Sequence, residues 1–282
     1  MLVAGLCFAL MSVAVKVAGQ WFDSSELVFY RSLFSLVVIV GPILLRHGRA
    51  GLRDLPGRNL GIHLGRGLVG FIALATFYYA LVRLPMSVAV TLNYASPLWL
   101  ALLMPWQLHE RPSRGQYLAV ALGFSGVLML LRPWEAAGSE LVAGLVGAFS
   151  GVMAAFAYIH VRRLGRLHEP EWRTVFWFAV VGVAGAGALA TLSGWHPLTP
   201  RQLPALLAMG ALATLGQLAM TRAYRKGHTT VVASFAFSTV IFSSLLDVII
   251  WKQKLVLLAW VGIVITVMAG FRATRLNARE GE

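Results

Sequence analysis

Ten apolar segments, arranged as two sets of five, dominate the chain, and the second set echoes the first. The run LVAGL at Leu2 to Leu6 returns at Leu141 to Leu145. The approximate spans are 2–19, 26–45, 60–82, 85–107, 115–131, 141–161, 174–193, 204–222, 229–251 and 255–271. Each matches the roughly 20 apolar residues that a membrane-crossing helix needs. Lipid offers no partner to backbone amides, so every span is expected to be helical. Five is odd, so the second copy of a five-span unit must cross the bilayer upside down relative to the first. The expected fold class is therefore an all-α integral membrane protein of ten transmembrane helices in two inverted five-helix repeats. Inverted halves of this kind place a solute site near the midplane of secondary transporters. The first repeat is assigned to residues 1–137 and the second to 138–282.

The echo extends past the opening helices. A shift of 143 lays Ala80 on Ala223, Arg83 on Lys226, Val88 on Val231, Glu110 on Gln253 and Gly126 on Ala269. Charged residues make up only 12% of the 282 residues and hydrophobic ones 58%, with mean hydropathy +0.74. Soluble domains carry about 25% charge. The ten spans and their short connections use the whole chain and leave no soluble domain and no nucleotide-binding fold.

The net charge of +13 is not read as nucleic-acid binding, because no soluble basic surface remains to dock a duplex. Sixteen of the 24 Lys and Arg residues fall in 46–59, 108–114, 162–173, 222–228 and the tail after 271, and five in the opposite connections. By the positive-inside rule both termini are cytoplasmic, and the expected location is a bacterial inner membrane. The single cysteine, Cys7, can form neither an intrachain disulfide nor a zinc site on its own. Residues 2–19 read as a retained span rather than a cleaved signal, since no charged region precedes them.

Polar residues inside spans are the candidates for function, because ionisable groups there cost several kcal/mol and must face a cavity or a partner. Asn93, Ser96 and Pro97 lie near the middle of span four. Proline removes a backbone donor and so frees a carbonyl, and the amide of Asn93 both donates and accepts. Tyr78 and Tyr79 in span three, Tyr94 and Trp99 in span four, and Tyr158 in span six are candidates for aromatic walls. Gln217 is a lone mid-span amide in span eight. Ser234 and Ser238 occupy the region of span nine equivalent to Asn93–Pro97. Four charged residues are candidates for coupling or gating: Asp247, Arg31, Arg66 and Lys16. Asp247 suits a proton or cation coupling site, a contact for a cationic substrate, a partner for a buried base, or a place near the outer interface. Lys16 suits a headgroup contact, Arg31, close to Glu26, a brace between helices or a ligand contact, and Arg66, sharing a face with His63, a guide for an anionic group, a headgroup contact or a cytoplasmic gate brace.

Several of these residues fall in a familiar pattern. Ser87 and Ala89 form a small-residue entry to span four, followed by mid-span Pro97, Glu110 at its end, Gly123 with Gly126 in span five, and Arg31 within FYRSLFS. In this the chain resembles the drug/metabolite transporter superfamily, in its EamA-type branch. Val240 and Gln253 stand where a symmetric second copy would carry Pro and Glu. The resemblance implies a ten-helix carrier working by alternating access, with spans 1, 3, 4, 6, 8 and 9 around a central cavity and spans 5 and 10 outside it. It implies transport of small metabolites such as amino acids without covalent chemistry.

The expected function is a secondary transporter of a small organic metabolite, an exporter rather than an importer. The alternative is a flippase for a lipid or lipid-linked headgroup, using Arg66 and Arg222 as a basic track. Expected partners are a small-molecule substrate and the lipid bilayer, with proton coupling or solute exchange as the drive and a monomer or homodimer as the assembly. No cofactor, metal or catalytic residue is expected. GRGLVGF at 65–71 lacks the Lys-Ser/Thr ending of a phosphate loop, and no HExxH or paired cysteines occur.

Overall fold

Long apolar runs with few interior charges become helices, and the computed structural model contains ten of them among its described residues. These residues are 1–47, 55–96, 98–100, 102–103, 114–131, 138–226, 232, 235–252 and 256–279. The first half holds α1 (Leu2–Ala18), α2 (Ser24–His47), α3 (Leu60–Arg83), α4 (Met86–Asn93) and α5 (Arg114–Leu131). The second holds α6 (Gly138–Arg166), α7 (Glu171–Ser193), α8 (Leu203–Lys226), α9 (Ser238–Trp251) and α10 (Leu257–Arg279). Five of these, α2, α3, α6, α7 and α8, carry apolar stretches of 22 to 29 residues, or roughly 33–44 Å of helix. Among the exposed residues, Leu45, Leu192, Leu257 and Ile249 stand clear of the protein, the apolar exterior that a bilayer solvates.

The packing repeats when five is added to every helix number. Helix α1 lies on α8 as α6 lies on α3, α1 meets α9 as α6 meets α4, and α2 meets α8 as α7 meets α3. The pairs α2 with α7, α4 with α9 and α5 with α10 join each helix to its own counterpart. A pseudo-two-fold axis therefore runs between the halves. Because each half crosses the bilayer an odd number of times, each self-paired couple is antiparallel. The fold is two inverted five-helix repeats whose buried side chains mix in one main cluster and in a smaller one around Ile39, Leu55, Val175 and Phe176.

Span four, expected as one helix over 85–107, is interrupted. Helix α4 ends at Asn93, Tyr94 and Ala95 form a turn, and helical residues resume at Ser96. The second half lapses at Phe237, before α9 starts at Ser238, and Phe237 is the residue that a shift of 143 lays on Tyr94. Proline alone does not account for both interruptions, since Val240 replaces it in the second copy. Pro97, Glu110, Ser234 and Gln253 lie outside the described residues.

The turn between α7 and α8 is pinned to α2 by a buried acid. Glu26 accepts the Asp23 backbone N–H (2.9 Å), the His196 backbone N–H (2.8 Å) and His196 Nδ1 (2.7 Å). This hydrogen bond, and then the carboxylate charge, raise the pKa of the exposed His196 imidazole above its usual 6.5. A raised folded pKa means that the contribution is complete below 6.5 and fades as pH rises through the raised value. Wild-type protein should therefore lose thermal stability across that window, and His196→Gln should flatten this part of the melting-temperature profile. A profile unchanged by the substitution would show that the turn is held by the backbone bond alone.

At the other end of the bundle, Glu169 receives Asn59 Nδ2 at 2.7 Å and Arg173 Nη1 at 2.6 Å, with His63 Nε2 at 3.5 Å. Burial pushes the Glu169 carboxyl upward. The hydrogen bonds from Arg173 and Asn59, with the Arg173 charge, outweigh this and hold it below its usual value. This cluster ties the start of α3 to the α6–α7 turn.

Candidate functional site

The interruption in span four lies in the middle of the bundle, and Asn93 and Tyr94 at it border a cavity. Asn93 is the last residue of α4, and proline at position 97 removes the N–H that would otherwise reach its carbonyl. The seam is fixed to α6. Asn93 Nδ2 donates to Ser150 Oγ at 3.0 Å, and Ser150 Oγ donates to the Gly147 carbonyl at 2.6 Å. Gly151 allows the two backbones to touch, since a β-carbon there would stand 2.6 Å from the Leu92 carbonyl oxygen and 3.3 Å from that of Asn93.

Beside this seam lies a cavity of about 90 Å³. Phe8, Met11 and Ser12 of α1, Arg31 of α2, and Arg66, Gly70 and Phe77 of α3 form the first half's wall, with Asn93 and Tyr94. The second half supplies Ala154, Ala157 and Tyr158 of α6, Phe178 of α7, and Gln217 and Met220 of α8. Neither half encloses the space alone. It has room for a few waters and falls short of the roughly 300–1,000 Å³ of metabolite pockets. A solute therefore requires helices or side chains to move.

The polar wall is dominated by two cations. Arg31 and Arg66 are 4% and 3% exposed. Their guanidinium carbons lie 5.1 Å and 4.5 Å from the Phe178 ring centroid. Among the described residues, Arg31 Nε, Arg66 Nε and Nη1, and Gln217 Nε2 find no hydrogen-bond partner. Tyr158 stacks on Tyr224 at 5.5 Å and 27°, which orients its ring at the wall.

Of the residues singled out from sequence for substrate contact, the structure brings Asn93, Tyr94, Tyr158 and Gln217 together at this cavity. It adds Arg31 and Arg66 from the group singled out for gating. Arg31 does not pair with Glu26, whose carboxylate is taken by His196, and its guanidinium instead meets Phe178 of α7. The headgroup contact read for Arg66 does not form either. Arg66 is buried, and His63 alone of that face turns to Glu169. Arg66 and Arg222, which a headgroup track would join, border separate depressions.

The other sequence candidates among the described residues stand off the cavity. Tyr78 is fully buried, with its hydroxyl 3.4 Å from Met11 Sδ. Tyr79 lies under the Arg83 guanidinium at 3.7 Å. Trp99 packs edge-on against Phe124 at 4.4 Å. Ser96 is buried outside the wall. Ser238 donates to the Phe235 carbonyl at 2.7 Å, where α9 meets Gly5 of α1. Phe178 carries no sequence signal that separates it from its neighbours in FWF, and only its place between two arginines gives it meaning.

Lys16 and Asp247 form a separate joint where α4 begins. Asp247 is fully buried, and its Oδ2 accepts the Ser87 backbone N–H at 3.0 Å and Ser87 Oγ at 2.8 Å. A carboxylate at a helix N-terminus is favoured by the helix dipole. Lys16 Nζ donates to the Leu84 carbonyl at 2.9 Å, lies 5.3 Å from the Trp251 ring centroid, and interacts electrostatically with Asp247. The joint ties α1, α4 and α9 together.

Comparisons with known proteins agree with this architecture. The model of the EamA-like transporter family matches residues 1–132 and 141–271. The pseudopaline exporter CntI of Pseudomonas aeruginosa strain UCBPP-PA14 is 30% identical over 272 residues, covering 96% of this chain and 93% of that protein. A riboflavin transporter of Rhizobium johnstonii is 28% identical, covering 83% and 76%. An S-adenosylmethionine uptake transporter of Rickettsia prowazekii is 20% identical, covering 88% and 85%. A crystal structure with 19% sequence identity superposes with a TM-score of 0.67 over 100% of this chain and 98% of the other, a likeness of fold. With two matched repeats, ten helices and an apolar exterior, the chain belongs to the EamA-like transporter family, a membrane protein of the drug/metabolite transporter superfamily.

Proposed function

We propose that this protein is a secondary transporter that moves a small organic metabolite, an amino acid or a related solute, across a bacterial inner membrane by alternating access. The direction is export, and both termini lie in the cytoplasm. The observation that supports this reading is the cavity at the seam of two inverted halves, lined by both and broken into by an interrupted helix. Residues 1–137 and 138–282 rock about it, and the Lys16–Asp247–Ser87 joint and the Glu169 cluster close opposite ends. The named relatives handle different solutes and include both an exporter and an uptake transporter. The direction of export follows the pseudopaline exporter, the relative that aligns over 96% of this chain.

Purified protein in liposomes should exchange a labelled solute against an internal pool without ATP. Asn93→Ala and Gln217→Ala should each slow this counterflow roughly tenfold, the equivalent of about 1.4 kcal/mol, with little change in melting temperature. Asn93 gives up one interhelical bond, worth about 0.6 kcal/mol in membranes, so stability barely reports the loss. Full-rate exchange by both variants would move the solute site away from the cavity.

A further inference from the structure

Resting on that transport reading, we infer that the cavity selects an organic anion, with Arg31 and Arg66 holding paired oxygens of a carboxylate or phosphate monoester against an apolar, flat body. Two guanidinium groups stand in one largely apolar cavity, each more than nine-tenths buried, and both approach the same Phe178 ring. Buried charge is costly unless paired, and two like charges add repulsion. Among the described residues no carboxylate borders the cavity. Glu26, Glu169, Glu171 and Asp247 are taken by His196, Arg173, Arg225 and Ser87.

The unpartnered buried nitrogens at this wall all belong to donor groups: Nε of Arg31, Nε and Nη1 of Arg66, and Nε2 of Gln217. A wall that offers donors and positive charge fits a solute that brings acceptors and negative charge. The planar guanidinium fork matches two oxygens at once.

The surroundings are shaped for that head. Gly70 is one turn beyond Arg66, and a β-carbon there would occupy the place of Arg66 Nη1 and come within 3.0 Å of Phe178 Cε2. The missing side chain is the space that the guanidinium uses. The rest of the wall, Phe8, Met11, Phe77 and Tyr158, suits an aromatic or apolar body.

The test is binding to the full chain in lipid nanodiscs, read by thermal shift, with four molecules sharing one ring: phenylacetate, phenyl phosphate, phenylacetamide and phenethylamine. One or both anions should raise the melting temperature, and whichever shifts it more identifies the preferred oxygen group. The amide and amine should leave it unchanged. Arg31→Gln and Arg66→Gln should each weaken anion binding at least tenfold while the unliganded variants melt no lower than wild type, since each loses an unpaired buried charge. Gly70→Ala should weaken binding with both charges intact. If a glutamine variant does not fold, Arg66→Lys, which keeps the charge and loses the fork, carries the same test with Gly70→Ala.

The inference is overturned if neither anion binds, if the amide or amine binds as well, or if anion binding survives these substitutions. Anion binding without counterflow in liposomes would sink the transport reading alone. Counterflow of the amine or amide but not the anions would sink this inference alone.

Discussion

Asp247→Ala should be among the most destabilising single substitutions in the chain. The carboxylate is fully buried. Removing it leaves the Ser87 N–H and hydroxyl without their acceptor and the Lys16 ammonium without its nearby negative charge. Each buried donor left without its acceptor costs about 1–3 kcal/mol, more where a charged group is involved, against a typical total stability of about 5–15 kcal/mol. The expected result is a large fall in melting temperature and in folded yield. Asp247→Asn retains an acceptor for Ser87 and should fall between alanine and wild type. The same pair of variants separates architecture from ion coupling. If Asp247 carries a coupling proton, Asp247→Asn should abolish pH-gradient-driven accumulation while leaving counterflow intact. If the residue only ties α1, α4 and α9, both activities should fall together and in proportion to stability. An alanine variant that melts like wild type would show that the joint bears no load.

The contrast between this joint and the cavity marks where a linear reading stops. The ten spans and their two-fold arrangement are legible because lipid imposes them. Each crossing needs a long apolar run, and an odd number of crossings per copy forces inversion. Asn93 and Gln217 are legible as amides stranded in apolar runs, and the structure sets both at the cavity wall. The arginines are harder. Arg31 lies seven residues after the start of α2 and Arg66 six after the start of α3, so depth along each helix suggests an interface. Their long side chains nonetheless converge on Phe178, a residue from the other half. The Lys16–Asp247–Ser87 joint is invisible for a similar reason. Ser87 and Asp247 are 160 residues apart, and nothing in either local pattern names the other. Tyr78, Tyr79 and Trp99 have the composition of cavity walls, but rotation about the helix axis turns each to a protein neighbour instead. Apolar patterning fixes which residues avoid water. It does not tell packed aromatic rings from those left facing a space.

Gly151→Val should strike both stability and transport. At this position the neighbouring atoms are backbone carbonyls, Leu92 O at 2.6 Å and Asn93 O at 3.3 Å from a β-carbon, with Trp99 Cδ1 at 3.5 Å. A flexible side chain could swing away from such a clash, whereas the end of α4 can respond only by moving as a unit. Overpacking costs about 1–3 kcal/mol where neighbours can adjust, and a valine here should reach the top of that range or exceed it. The displaced segment carries Asn93 and Tyr94, so the cavity changes shape even in molecules that fold. Counterflow should drop more than tenfold for valine and less for alanine. Ser150→Ala, which removes only the hydroxyl partner of Asn93, should sit near wild type in stability, because one interhelical hydrogen bond in a membrane is worth about 0.6 kcal/mol. That order, with serine deletion mild, alanine insertion intermediate and valine insertion severe, is expected only if close backbone contact between α4 and α6 positions the cavity. A severe Ser150→Ala paired with a tolerated Gly151→Val would assign the positioning to the hydrogen bond instead, and the interrupted helix would then be held by its side chains rather than by the absence of one.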